Sequence, residues 1–347
     1  MSSTANAAPL QPSYVLRGHS AAIHAVHFFR GNSRLITGDA EGWVIVWDMI
    51  TRRPAVVWRP HSAAILGLGS WGDDKIITHG RDDKLHVWLA QEADEKDLSQ
   101  KLPAKGDDEV PQPDIIHSLD VNSLNFCSFA ATQARDSDNI LVAVPGVNDG
   151  AIVLWSLPWE NLIGTVPAVP GDKTGMIMAL SLFYYQDRLT IVAGHEAGWA
   201  AVYSEQPDQT WRRVRRCNAD PNQEPKQPIL SLDVSGPDPW LVFYSGADSA
   251  INAENLTAGS AHRIHTGHSG QQGLRVRSDR RILATAGWDG RGRVYSAEVR
   301  DATRSTLPKS SNLSGYGKVT QHQKARRSPF GKQQPKNEPN ESSTRIG

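Results

Sequence analysis

The stretch Leu35–Met49, LITGDAEGWVIVWDM, holds an apolar run, a polar turn and a second apolar run ending in a Trp-Asp pair. Three carboxylates, Asp39, Glu41 and Asp48, fall inside it. Met once in a chain, they would suggest a metal site or a general acid/base pair; met repeatedly, they suggest architecture. The stretch recurs. TGDAEGWVIVW, ending at Trp47, returns as THGRDDKLHVW ending at Trp88, PGVNDGAIVLW ending at Trp155, AGHEAGWAAVY ending at Tyr203 and TAGWDGRGRVY ending at Tyr295. A worn copy, SGADSAINAE, ends at Glu254. The intervals are 41, 67, 48, 51 and 41 residues.

Each copy reads as a strand, a turn rich in Asp and Gly, then an alternating strand such as Trp43–Trp47. A period of roughly 40–45 residues with a Trp-Asp signature is that of a WD-repeat β-propeller built from four-stranded blades, so the fold class is all-β. The propeller is placed at 13–300, between a disordered N-terminus (1–12) and a basic, disordered tail (301–347). Two insertions stretch the period. The acidic segment 90–112 reads as a mobile loop, and the polar, Pro-containing segment 206–228 as a second insertion.

Counting back from the closing aromatic, a Thr lies ten residues earlier and an acid six earlier, with a His in the preceding loop. The sets are His19/Thr37/Glu41/Trp47, His61/Thr78/Asp82/Trp88 and His268/Thr285/Asp289/Tyr295. In WD repeats such residues form a buried chain of hydrogen bonds from acid to His to Thr to Trp, which gives each buried polar group a partner. The opening acids are therefore read as structural, and Asp48 as a cap on its strand end.

Six blade cores are countable. Tyr14-Val15-Leu16 reads as an outer strand without inner partners, and residues after Pro308 show no alternating apolar run. The expectation is a seventh blade that is missing or incomplete, with six-blade closure as the alternative. Gly292 stands where the last strand would take a β-branched residue, which weakens that strand.

Composition excludes much else. Lys plus Arg and Asp plus Glu both total 37, giving no net charge, although residues 308–347 hold eight basic and two acidic residues and so leave 29 and 35 in residues 1–307. Two cysteines, Cys127 and Cys217, form no CxxC pair, which points to a reducing compartment. No stretch is apolar enough to span a bilayer. Of twelve histidines, three belong to the repeat pattern and none of the others has an acid or Cys completing a ligand set, so no metal is expected. There is no nucleophile elbow, and GDKTG (171–175) lacks the spacing of a phosphate loop. No catalytic residue, cofactor or direct nucleic-acid contact is assigned. Among eleven Trp, Trp43, Trp159, Trp199 and Trp288 are candidate partner-facing aromatics, weighed against packing between blades.

The wording of the blades, SYVLRGHSAAIHAVHF, LITGDAEGWVIVWD, GRDDKLHVWL, NDGAIVLWSLP and ATAGWDGRGRVYS, resembles the fungal ASTRA-associated WD-repeat proteins and, more distantly, the animal G-protein-β-like propellers. The resemblance implies a nuclear, non-enzymatic scaffold, monomeric within a hetero-complex. Its implied setting is the ASTRA complex, with links to chromatin remodelling and to co-chaperone maturation of PI3K-related kinases. Two other classes stay open. A cullin-type substrate receptor would carry Arg where Trp47-Asp48-Met49 is followed by Ile50, and a histone-tail reader would need a pocket at the central channel.

Overall fold

The computed structural model describes residues 13–103, 110–122, 124, 126–169, 171, 173–218, 227–238 and 240–297, and the backbone of 317–318. The expected termini, 1–12 and most of 301–347, lie outside them. Blade 1 comprises β1 (Ile23–Phe29), β2 (Arg34–Asp39), β3 (Val44–Asp48) and β4 (Arg53–Trp58). Blade 2 comprises β5 (Ile65–Trp71), β6 (Lys75–Gly80), β7 (Lys84–Leu89) and β8 (Ile115–Asp120). Blade 3 comprises β9 (Ala130–Gln133), β10 (Ile140–Pro145), β11 (Ile152–Leu157) and β12 (Asn161–Val166). Blade 4 comprises β13 (Ile177–Tyr185), β14 (Arg188–His195), β15 (Trp199–Glu205) and β16 (Trp211–Asn218). Blade 5 comprises β17 (Ile229–Ser235), β18 (Leu241–Gly246), β19 (Ala250–Asn255) and β20 (Ala261–His265). Blade 6 comprises β21 (Gln271–Val276), β22 (Ile282–Gly287), β23 (Arg291–Ser296) and the two-residue β24 (Gly317–Lys318). Each sheet is an antiparallel meander, and the six form a β-propeller.

The repeat seen in the sequence is also a repeat of backbone irregularities. Five of the six inner strands carry a register shift near their start, as at Ile23/Ala25 and Ile65/Gly67. In blades 1 to 4 the third and fourth strands shift register immediately before the closing aromatic, at Trp47, Trp88, Trp155 and Tyr203. An extra residue there bends the outer strand and increases local twist, which suits strands fanning out from a central axis.

The core sits between blades. Ile36, Val44, Val46 and Trp58 of blade 1 meet Ile65, Ile76 and Trp88 of blade 2. Comparable apolar layers join each later pair up to blades 5 and 6. Alternation along each central strand thus faces two different neighbours, which is why β2, β10 and β18 are buried throughout.

The faces of blades 1 and 6 that point away from this stack differ. Val26 and Phe28 of β1 are 63% and 50% exposed, and Val294 of β23 is 45% exposed beside exposed Ala284 and Ala286. The outer half of blade 1 is covered instead by the chain itself, with Leu16, Met49 and Val110 packed on Leu35, Trp43, Ile45, Trp47 and Val57. Tyr14-Val15-Leu16, expected as a strand, pairs with no strand among the described residues: Tyr14 lies under the Arg52 guanidinium and Leu16 anchors the segment on that apolar face.

Two expectations about insertions are corrected. Residues 90–103 of the acidic segment dock on blade 1 rather than ranging freely. A 3₁₀ turn, Glu92–Asp97, presents Glu92 and Glu95 on one side, and Arg34 donates to both, at 2.8 Å and 2.9 Å. Arg30 also donates to Glu95 and to the Ala90 carbonyl. Leu98 tucks into the layer between blades 1 and 2, and the Val57 N–H donates to the Ser99 carbonyl at 2.7 Å, extending the edge of the sheet. The remaining stretch, 104–109, lies outside the described residues. The second insertion contains β16, whose alternation is masked in the sequence by its arginines.

Candidate functional site

In blade 2 the four pattern residues form one chain. His61 Nδ1 meets Asp82 Oδ1 at 2.8 Å and its Nε2 meets Thr78 Oγ1 at 2.8 Å, while Trp88 Nε1 donates to the same hydroxyl at 2.9 Å. Burial alone would raise the Asp82 carboxyl, but the bonds from His61 and the Ser62 N–H hold it down at about 2. Gly80 is required here, since a Cβ would fall 2.4 Å from His61 Nδ1.

Blade 1 builds the same chain with a different acid. His19 bridges Thr37 Oγ1 at 2.7 Å and Asp39 Oδ2 at 2.8 Å, and Trp47 Nε1 donates to Thr37 Oγ1 at 2.8 Å. Glu41, the residue at the expected offset, is exposed. Asp39 is fully buried, and its second oxygen accepts the N–H groups of Glu41 and Trp43. The short Asp side chain at the end of β2 closes the turn and reaches the histidine together, so Glu41 has no place in the chain. Asp48 behaves as read: its Oδ1 accepts the Ile50 and Thr51 N–H groups, which lowers its pKa.

Blade 6 is looser. His268 Nε2 lies 3.5 Å from Thr285 Oγ1 and 3.3 Å from the Tyr295 hydroxyl, and Asp289 is 4.0 Å away from His268. Asp289 instead takes Arg293 Nη2 at 2.7 Å. That guanidinium holds the Asp289 carboxyl low, and burial followed by Arg293 lowers His268.

Blade 5 has a substitute that the pattern search missed. The Tyr244 hydroxyl donates to Glu254 Oε1 at 2.9 Å, joining the same two positions, ten residues apart, that hold Thr and Trp elsewhere. The spacing was the available signal, hidden because both residue types had changed.

Of the four candidate partner-facing aromatics, two are buried. Trp43 and Trp199 are 4% and 2% exposed. Trp43 packs in the blade 1 face, while Trp199 lies in the layer between blades 3 and 4, 4.4 Å from the His195 ring and under Arg216. Trp199 is thus covered by the neighbouring blade, and Trp43 by side chains of its own blade. Trp159 and Trp288 are 70% and 63% exposed. They occupy turns at opposite ends of third strands, β11–β12 and β22–β23, and so lie on opposite rims and cannot line one groove.

Among the described residues no three His, Cys, Asp or Glu side chains form a metal-binding group, and no helix is long and apolar enough to cross a membrane. Cys127 and Cys217 are buried free thiols pushed upward in pKa by desolvation, far from the thiolate form that nucleophilic chemistry needs. The arrangement of polar groups is thus one that locks strands together and presents loops on two rims.

A family profile described as "WD domain, G-beta repeat" matches residues 10–48. Among curated proteins, ASTRA-associated protein 1 of Verticillium alfalfae is 42% identical over 305 residues, covering 83% of this chain and 74% of that protein. The protein of the same name in Aspergillus flavus is 37% identical over 345 residues, covering 84% and 79%. That of Schizosaccharomyces pombe is 30% identical over 334 residues, covering 83% and 88%. Identity of this order over more than four fifths of the chain means that it belongs to the ASTRA-associated protein 1 family.

Proposed function

We propose that the protein is a non-catalytic scaffold subunit of the ASTRA complex, acting in the nucleus in chromatin remodelling and in co-chaperone maturation of PI3K-related kinases. The observation that carries this reading is the 42% identity, over 83% of this chain, to a protein named for association with ASTRA. The polar chemistry supports it, because the conspicuous His, Asp and Thr groups are bonded to one another in the strand-locking chains rather than converging on a substrate. Rigid blades that present loops on two rims suit protein docking.

Affinity purification of the tagged chain from its native cells, followed by mass spectrometry, tests the proposal. Recovery of ASTRA and co-chaperone subunits is expected. A clean preparation lacking all of them, from cells that contain them, would sink it.

A further inference from the structure

Strand β16, WRRVRRCN, places Arg212, Arg213, Arg215 and Arg216 within five residues, although acids outnumber bases across residues 1–307. It is the outermost strand of blade 4 and pairs only with β15 among the described residues. The register shift at Val202/Tyr203 leaves Val214 outside the pairing, 57% exposed. Beside it, between the outer parts of blades 4 and 5, lies a cleft of about 460 Å³ walled by Tyr185, Arg188, Thr190, Ser204, Val214 and Arg215.

Two arginines, Arg188 and Arg215, bring positive charge to the wall of this cleft. Arg215 donates to the Asn255 and Leu256 carbonyls at 3.2 Å and 3.3 Å, which fixes its plane without neutralising it. Arg216 rests 4.3 Å over the Trp199 ring, on the blade 3 side of the strand, and so adds to the charge of β16 rather than to the cleft wall. Of the carboxylates around β16, Asp187 pairs with Arg135 of the preceding blade and Glu254 accepts the Tyr244 hydroxyl, while Asp208 lies within electrostatic reach of Arg212. Guanidinium groups recognise carboxylates through paired N–H donors.

We propose that the β16 edge and this cleft dock an acidic, extended segment of a partner protein; the inference rests on the scaffold reading and names one of its docking surfaces. An extended peptide matches an open strand edge through backbone hydrogen bonds, while alternate side chains enter the cleft. Val214 and Leu256 give its apolar side chains a shoulder, and Arg188 and Arg215 face its carboxylates. A nucleic acid fits less well. It gains from a series of aromatic rings for successive bases to stack on, and the cleft wall offers a single ring, Tyr185.

The test is fluorescence anisotropy on the purified full chain, using a labelled decapeptide of alternating Glu and Val. A Lys/Val decapeptide and a ten-nucleotide DNA single strand serve as competing probes. Saturable binding of the Glu/Val peptide that weakens with added salt is expected, as is no binding of the Lys/Val peptide. The Arg188→Gln/Arg212→Gln variant changes two exposed side chains, and its fold is checked by circular dichroism. It should bind the Glu/Val peptide at least tenfold more weakly. No saturable binding, an affinity within twofold of wild type in the variant, or displacement of the peptide by the DNA at lower concentration would each overturn the proposal. Co-purification of ASTRA subunits with the wild-type chain judges the scaffold reading separately. If the subunits are absent while the peptide still binds, the scaffold reading fails and the docking cleft stands.

Discussion

Thr78 is fully buried, and its one hydroxyl serves both the His61 ring and the Trp88 indole. Thr78→Val keeps the shape and removes that hydroxyl, leaving two buried polar groups without a partner, at a cost of about 2–3 kcal/mol. Thr285→Val in blade 6, where the His contact is 3.5 Å, should cost less than about 1 kcal/mol. Urea unfolding midpoints of the two variants compare them directly, and equal losses would contradict the difference in geometry. A neighbouring residue sets a pH dependence. His79 is buried with no hydrogen-bond partner on either ring nitrogen, and desolvation, followed by His61, lowers its pKa to about 4. The unfolded ring takes a proton near pH 6.5 and the folded one only near 4, so stability is full above about 6.5 and declines as pH falls toward 4. The contribution is on the order of 3 kcal/mol. Thermal melts between pH 7.5 and 4.5 should show His79→Leu losing less stability over that range than the wild type.

At the scale of elements, the acidic insertion behaves as part of blade 1. Arg34 and Glu95 are both largely buried, with side-chain exposures of 7% and 13%, so neither is a surface charge. Glu95→Ala removes the carboxylate shared by Arg34 and Arg30 but leaves Arg34 with Glu92 and Asp48 and Arg30 with backbone carbonyls, a loss of about 1.5–3 kcal/mol. Hydrogen exchange at Gln91–Ser99 should then rise to the level of free loops while blades 3 to 5 keep their protection. Unchanged exchange there would mean that Leu98 and the backbone bond to Val57 hold the segment by themselves. β16 escapes a pattern search for a related reason: arginines occupy both faces of the strand, and Arg215 meets blade 5 through the Asn255 and Leu256 carbonyls rather than through an apolar side chain.

For the whole molecule, what matters is which blade faces are covered. Ile36 is fully buried between blades 1 and 2, and Ile36→Ala should cost about 2–5 kcal/mol. Phe28, half exposed on the opposite face of blade 1, should tolerate Phe28→Ser within about 1 kcal/mol. Chemical denaturation of both variants tests the asymmetry, and a large loss at Phe28 would show that this face is covered in solution.

Blades, strands and the offset of Thr from Trp were legible in the sequence. They depend on local chemistry: alternation with period two, Asp and Gly at turns, and a fixed number of residues across each hairpin. These features name a side chain's face but not what covers it. The tertiary structure decided that Asp39 rather than Glu41 meets His19, since reach across a turn depends on where the preceding loop comes to rest. It buried Trp43 and Trp199 beneath neighbouring elements while leaving Trp159 and Trp288 in solvent, and it docked the acidic turn onto Arg34. Each of those outcomes was set by contacts between segments distant in the chain, which no local pattern of residues encodes.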